Sequence, residues 1–291
     1  MPRRSNPLKQ CKVCGRMTLN VSWTQIRMYD ECGQKVKRYR EGKRAPITDH
    51  RVFFAGTTTD RVVRRWLLDD PENNTGLMPH MVEEIMAAEL QAIQKDGGSV
   101  KWKTPTDREE VLRECIEAVT RLEPILNKYV LPYEYEPDFK FKAPMAIPAP
   151  WGETEPILLI GAIDILVRDG DKWDIWDVKH TKDNNYWRKT VGQLTFYDIS
   201  RSLLFEGESR YSGLLQPLCD ERIKPYPVTE QLQSEMFQRI AKYADAIWRD
   251  QLPPDPKQPS MCNYCDVRHA CSKFKPVVRD GKRRVSFGGT Q

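Results

Sequence analysis

The 291-residue chain has no apolar run of transmembrane length and no stretch laid out like a secretory leader. A membrane-spanning protein is therefore not expected, and a cytoplasmic, reducing setting is. In that setting the eight cysteines do not read as a disulfide framework. Internal repeats and low-complexity tracts are also missing, so nothing points to a solenoid or fibrous architecture. A strong charge of one sign is lacking too. The 46 Lys and Arg against 41 Asp and Glu leave a formal charge of +5, which by itself is weak support for a polyanionic partner. Finally, Cys11-Lys12-Val13-Cys14-Gly15 has no second nearby cysteine pair, so it is at most half of a zinc ribbon. Three readings stay open for it: a zinc site with a borrowed ligand, alternative ligands to another cluster, or an unused pair on an N-terminal tail.

What is present suits a sizeable core. Hydrophobic residues make up 40% of the chain, and the length fits one large domain with an insertion, or one domain plus a small one. Residues 1–21 read as a tail carrying the cysteine pair. Ser22 and Gln25 form a capping-box signature that starts a helix over 22–45. On that helix Tyr29, Cys32, Val36 and Tyr39 would line one face. Further helices are expected over 57–70, 79–95 and 106–126, the last with Asp107, Glu109 and Glu110 in its first turn. Phe139 and Phe141 alternate with lysines as in a half-exposed strand. Strands are expected at 157–168, 173–179 and 211–217, and helices at 187–205 and 229–250. The fold class is thus α/β, a central mixed sheet flanked by helices with a helical insertion at about 57–130. Residues 276–291 read as a basic tail.

Two short stretches carry chemistry. Gly161-Ala162-Ile163-Asp164 lies inside the apolar run 157–167, and Trp176-Asp177-Val178-Lys179 ends the run 173–178. Between them, Asp169-Gly170 is a strong hairpin signal. Two antiparallel strands would bring Asp164 and Asp177 to one place. Side chains alternate along a strand, so Asp177 and Lys179 project from the same face. Carboxylates in apolar surroundings need a partner. That partner is either a hard divalent cation, Mg²⁺ or Mn²⁺, or the Lys179 ammonium. Read blandly, Asp177-x-Lys179 is a solvated strand face, and the apolar neighbours argue against this. Downstream, Gln193 and Tyr197 are spaced i, i+4 on one helix face. They read either as an amphipathic boundary or as a polar pair supporting a substrate. Basic clusters at 35–40, 61–65 and 273–284 are interleaved with aromatics in places, which suits phosphate contact and stacking, or else solvated faces and a tail.

The cysteines give a second, independent clue. Cys262-x2-Cys265-x5-Cys271 follows a Pro-rich stop at 252–256. Three thiolates at this spacing bind zinc or an iron–sulfur cluster, and one ligand is missing. Cys32 is the leading candidate for the fourth ligand, although a buried core cysteine is common. His269, inside the cluster, could instead complete a zinc site. Cys115 and Cys219 read as structural.

Gly161-x-x-Asp164, Asp177-Val178-Lys179 and Gln193-x-x-x-Tyr197, in this order and spacing, resemble the PD-(D/E)XK nuclease superfamily. The resemblance is closest to the RecB-like branch, which includes CRISPR-associated and phage exonucleases carrying an iron–sulfur cluster. The motifs cover about a tenth of the chain. The resemblance implies a restriction-endonuclease-like core. It implies that Asp164 and Asp177 hold Mg²⁺ or Mn²⁺, with the Val178 carbonyl as a further ligand, and that Lys179 assists hydrolysis. Gln193 and Tyr197 would support DNA that is single-stranded or has a free end. It further implies that Cys32, Cys262, Cys265 and Cys271 hold a [4Fe-4S] cluster joining the two ends of a nuclease domain over 22–275. Where many relatives have a histidine after a glycine such as Gly56, this chain has Asp60, which would join the divalent site. Thr57-x-x-Asp60 can equally be a plain helix start. The expected activity is that of a DNA exonuclease in recombination, repair, phage DNA processing or CRISPR adaptation, with partner proteins of that machinery. Two other readings stand beside it: a non-catalytic zinc-containing nucleic-acid-binding module, and a scaffold subunit of a recombination complex.

Overall fold

The computed structural model describes residues 8–10, 17–43, 51–69, 76, 78–253, 256–257, 262, 265–271, 275–279 and 282–286. The Cys11/Cys14 pair lies outside the described residues. The chain divides into two compact units. One comprises Met1–Pro46, Lys142–Ile160 and Ser234–Gln291, the other Ile47–Phe141 and Gly161–Gln233.

In the first unit, β1 (Leu8–Gln10) pairs antiparallel with β2 (Met17–Val21). β2 then runs parallel to the first half of β4 (Thr154–Asp169), with Leu19 opposite Ile157 and Val21 opposite Leu159. All four side chains are buried, so β2 is a sheet strand within what reads from the sequence as a tail. α1 (Trp23–Glu31) starts at the expected capping box, in which Gln25 Oε1 accepts from Ser22 N–H at 2.9 Å. The single helix expected over 22–45 is not formed. Cys32 is extended (φ −174°, ψ 124°) and α2 (Gly33–Arg40) begins after it. The cause is a close approach by the chain that follows α7 (Glu230–Trp248). A Cβ at Gly33 would sit 2.8 Å from the Pro253 carbonyl oxygen, which accepts the Gln34 N–H instead. The face of Tyr29, Cys32, Val36 and Tyr39 expected on one helix is therefore broken at Cys32.

In the second unit, α3 (Arg51–Leu68), α4 (Met78–Lys95) and α5 (Asp107–Tyr129) form the helical portion. α3 begins earlier than the expected residue 57. Their apolar stripes meet in a core that includes Phe54, Trp66, Met78, Met86, Leu122 and Leu126, and that core continues onto Ile165, Val167 and Trp176 of the sheet. Each such side chain contributes about 1.5–3 kcal/mol by leaving water. β3 (Glu134–Pro148) pairs with β4. β4 pairs antiparallel with β5 (Lys172–Val178) across a tight turn at Gly170-Asp171. β5 runs parallel to β6 (Glu208–Leu215), which pairs antiparallel with β7 (Ile223–Tyr226). The sheet is mixed, as expected. After its first residue β5 is buried at every position, the mark of a strand covered on both faces. α6 (Trp187–Ser202) returns between β5 and β6. From the last residue of the expected nuclease domain into the expected basic tail, β8 (Lys275–Arg279) and β9 (Lys282–Ser286) pair antiparallel.

Candidate active site

β5 buries two acids, and their surroundings differ. Asp174 is held by Arg210, which donates from Nε to Oδ1 at 3.0 Å and from Nη2 to Oδ2 at 2.7 Å, and whose Nη1 also reaches Asp169 Oδ2 at 2.5 Å. It is a satisfied structural ion pair. Asp177, fully buried, has no arginine partner among the described residues. Its Oδ2 forms a 2.6 Å ion pair with Lys179 Nζ, off the axis of a directed hydrogen bond, and its Oδ1 accepts from Gln193 Nε2 at 3.1 Å. The pairing of Ile165 with Trp176 puts Asp164 opposite Asp177 one step further along. Asp164 accepts the Val178 N–H on Oδ2 at 2.9 Å and, when protonated, donates to Asp177. The hairpin thus joins the two acids and the lysine read from the sequence.

One lysine cannot balance the acids gathered here. Burial, then the charge of Asp177, pushes the Asp164 carboxyl up to about 7, although Lys179 and the Val178 N–H oppose the rise. Burial raises Asp177 too, with Lys179 opposing. Asp60, on α3 and open to solvent on one side, is pushed up to about 6 by desolvation and then by Asp164. For Lys179, burial favours the neutral form, but Asp177 and Asp164 outweigh it and hold the ammonium protonated above its ordinary range. Asp60, Asp164, Asp177 and Lys179 are therefore one electrostatic cluster short of positive charge. That donor set, hard oxygens on one buried, one half-buried and one exposed carboxylate, fits a divalent cation. Among the described residues, no three His, Cys, Asp or Glu side chains are already drawn to ion-binding spacing.

A layer of support surrounds the acids. Gln193 Nε2 also donates to Tyr197 Oη at 2.9 Å, so the i, i+4 pair on α6 spans from Asp177 to the phenol. Burial and the charge of Asp177 raise the phenol's pKa, which keeps it neutral. Tyr197 packs edge-on against Phe141 at 5.9 Å. Phe141 explains Gly161: a Cβ there would lie 2.7 Å from Phe141 Cζ. The motif glycine admits the ring that backs Tyr197.

Sequence reading missed a second tie. His180, directly after Lys179, has a buried side chain whose Nδ1 is 2.9 Å from Thr59 Oγ1, next to Asp60. Its Nε2 is 3.8 Å from Glu114 on α5, and burial keeps the imidazole neutral. The hydrogen bond links the residue beside Asp60 to the residue beside Lys179. Nothing in the spacing of the motif residues signals it, because Thr59 and His180 are 121 positions apart.

The cysteines are distributed as follows. Burial, then the neighbouring thiols of Cys32, Cys265 and Cys271, raises the Cys262 thiol. Cys265 is raised by burial, with Asp266 and Cys32 adding to the rise and Lys35 opposing it. Cys32, between α1 and α2, therefore shares an electrostatic neighbourhood with the C-terminal three, whereas His269 is exposed. Cys115 is buried in the core and Cys219 donates to the Thr181 carbonyl at 3.3 Å. The basic residues of α2 and α3 are largely matched by acids: Lys35 with Glu31, Arg38 with Glu41, Arg61 with Glu89, Arg65 with Glu84 and Asp69.

Among the described residues no helix is long and apolar enough to cross a membrane. A Eubacterium rectale protein named "Putative exonuclease" is similar in structure, at 13% identity over 89% of this chain and 91% of that one, with a TM-score of 0.48. A protein named SSO0001 is similar at 13% identity over 87% of this chain and 86% of that one, with a TM-score of 0.40. No curated protein matches the chain in sequence. The sequence profile of one family, described as the PD-(D/E)XK nuclease superfamily, matches residues 20–272, a span that contains Asp60, Asp164, Asp177, Lys179, Gln193 and Tyr197. The chain belongs to the PD-(D/E)XK nuclease superfamily.

Proposed function

We propose that this nuclease is a Mg²⁺- or Mn²⁺-dependent DNA exonuclease that cuts single strands or duplex ends. The observation that carries the reading is the contrast on β5. Asp174 is clamped by both nitrogens of an arginine fork, while Asp177, three residues further along the strand, is left with a shared lysine and a second carboxylate. Asp60, Asp164 and Asp177 would hold the cation, with the Val178 carbonyl as a further ligand. Bound there, the cation supplies Lewis-acid polarisation of the phosphate and lowers the pKa of a water.

The chain's own residues do the rest. Lys179, held protonated, orients the attacking water and adds positive charge beside the phosphate as negative charge builds up. Gln193 fixes Asp177 Oδ1, and Tyr197, neutral and hydrogen-bonded, keeps Gln193 in place for the nucleic-acid strand. The intact acids and lysine weigh against a non-catalytic binding module; turnover in a cleavage assay distinguishes a scaffold subunit. Cys32, Cys262, Cys265 and Cys271 would hold a [4Fe-4S] cluster as a staple; zinc is the alternative metal for these thiols.

The test uses end-labelled single- and double-stranded DNA with Mg²⁺, Mn²⁺ or EDTA. The parent should cut with either metal and not with EDTA. Asp177→Ala and Lys179→Ala should each lose at least about a hundredfold in rate while staying folded. Parent-like cutting by either folded variant would show the assigned site to be wrong.

A further inference from the structure

Three arginines stand close together on α3, and one of them is different. Arg61 and Arg65 are matched by acids of their own, Glu89 for the first, Glu84 and Asp69 for the second. Arg64 shares its acid. Arg64 Nη1 is 2.6 Å from Asp138 Oδ2, and Lys140 Nζ is 3.1 Å from the same oxygen. Two cations on one carboxylate leave a surplus positive charge. Both remain accessible, with side-chain exposures of 46% for Arg64 and 73% for Lys140.

The position of this surplus matters. Arg64 follows Asp60 by four residues on α3, so the two share a face about 5–6 Å apart at Cβ. Arg64 and Asp138 are among the charges that act on the Asp60 carboxyl. Asp138 also has an unusual backbone. Within β3 it is left-handed (φ 53°), a conformation that most L-residues avoid and that Asp and Asn tolerate best. There the carboxylate meets both cations. A guanidinium has five N–H donors in a rigid fork, and the Asp138 carboxylate lies beside one end of it as an ion pair, off the axis of a directed hydrogen bond.

We infer that Arg64, positioned by Asp138 and assisted by Lys140, binds a backbone phosphate of the nucleic-acid strand next to the one being cut. The inference rests on the nuclease reading of the site and adds a substrate contact to it. A polyanion that approaches a carboxylate-rich cluster is repelled unless a cation stands close by, and Arg64 is the cation on the Asp60 face whose own acid is shared. Asp138 acts through Arg64 as a positioning residue. It also limits the local charge, so that nucleic acid does not bind there indiscriminately.

The experiment is a titration of a fluorescent single-stranded oligonucleotide by anisotropy. It uses the full chain in Ca²⁺ across a KCl series, with Mg²⁺-dependent cleavage measured in parallel. Arg64→Ala should weaken binding by about tenfold and reduce the slope of log K against log salt by about 0.7, the share of one phosphate contact on a single strand. It should raise KM much more than it lowers kcat, and Arg64→Lys should restore part of the loss. Asp138→Asn keeps the left-handed backbone and should move affinity the other way, tightening binding at low salt with an undiminished slope. A purely structural ion pair predicts instead that both variants shift together and leave the slope alone. If the parent binds and cuts while Arg64→Ala retains parent affinity and slope, the phosphate contact is wrong and the nuclease reading stands. If the parent neither binds nor cuts, both fall.

Discussion

Asp164→Asn separates what the site does for activity from what it costs the fold. In the metal-free protein Asp164 is pushed from 3.8 to about 7, first by burial and then by Asp177. A carboxyl whose folded pKa is raised stabilises the fold below its unfolded value and loses that contribution as pH rises through the folded value. The window is therefore about pH 4 to 7. Below it Asp164 is protonated in both folded and unfolded chains; above it the folded chain carries an unfavourable buried charge. The gap between 3.8 and about 7 corresponds to about 4 kcal/mol. Lys179 and Asp177 readjust when the charge is removed, so about 2–4 kcal/mol is the expected gain. Asparagine imitates the protonated acid: its oxygen can accept the Val178 N–H, and its NH₂ can donate to Asp177 as the acid's O–H does. In EDTA at pH 8, Asp164→Asn should thus raise the melting temperature by about 5–15 °C, at about 2–4 °C per kcal/mol. The gain should shrink steadily toward pH 4.5. Mg²⁺ should stabilise the parent and not the variant, while cleavage by the variant is lost. Denaturation of both proteins from pH 4.5 to 8.5, with EDTA or Mg²⁺, makes the measurement. A variant less stable than the parent at pH 8 in EDTA, or a stability difference that does not change with pH, would refute the electrostatic argument.

Other outcomes follow from the same geometry. Gln193→Ala and Tyr197→Ala should slow cleavage by less than about a hundredfold, less than Asp177→Ala, because they touch the acid or its partner rather than replace it; unchanged kinetics in both variants would reduce this face of α6 to ordinary packing. Gly161→Ala should destabilise the fold by about 1–3 kcal/mol by driving into Phe141, and adding Phe141→Leu should recover most of the loss. If the second change gives no recovery in thermal melts, the ring is not what the glycine accommodates. Protein purified without air should be brown and contain iron; Cys32→Ala should lose both the colour and much of its stability, whereas Cys115→Ala keeps the colour. One zinc and no iron by elemental analysis would replace the iron–sulfur reading with a zinc site and leave the nuclease site untouched.

Local pattern was enough to mark some parts of this protein. An Asp-Gly signal between two apolar runs marks an antiparallel hairpin, whose turn folding sets at Gly170-Asp171, and a strand's period of two then puts Asp177 and Lys179 on one face opposite Asp164. Helical spacing did the same for Gln193 and Tyr197, whose hydrogen bond is a consequence of i, i+4 geometry. The capping box located the start of α1. Contacts distant in sequence decided the rest, because no local period encodes them. The break at Cys32 depends on Pro253 pressing on Gly33, which no helix propensity in 22–45 anticipates. β2 became a strand because Leu19 and Val21 found Ile157 and Leu159 to pair with. The His180–Thr59 tie and the shared Asp138 likewise exist only once α3, β3 and the end of β5 have packed. Most telling are Asp174 and Asp177, three residues apart on one buried strand. The sequence presents two acids in apolar surroundings; folding brings Arg210 to one and a second carboxylate to the other. Burial makes an isolated charge costly, so the partner that tertiary structure supplies determines which acid sits in an arginine clamp and which shares its lysine with a second carboxylate.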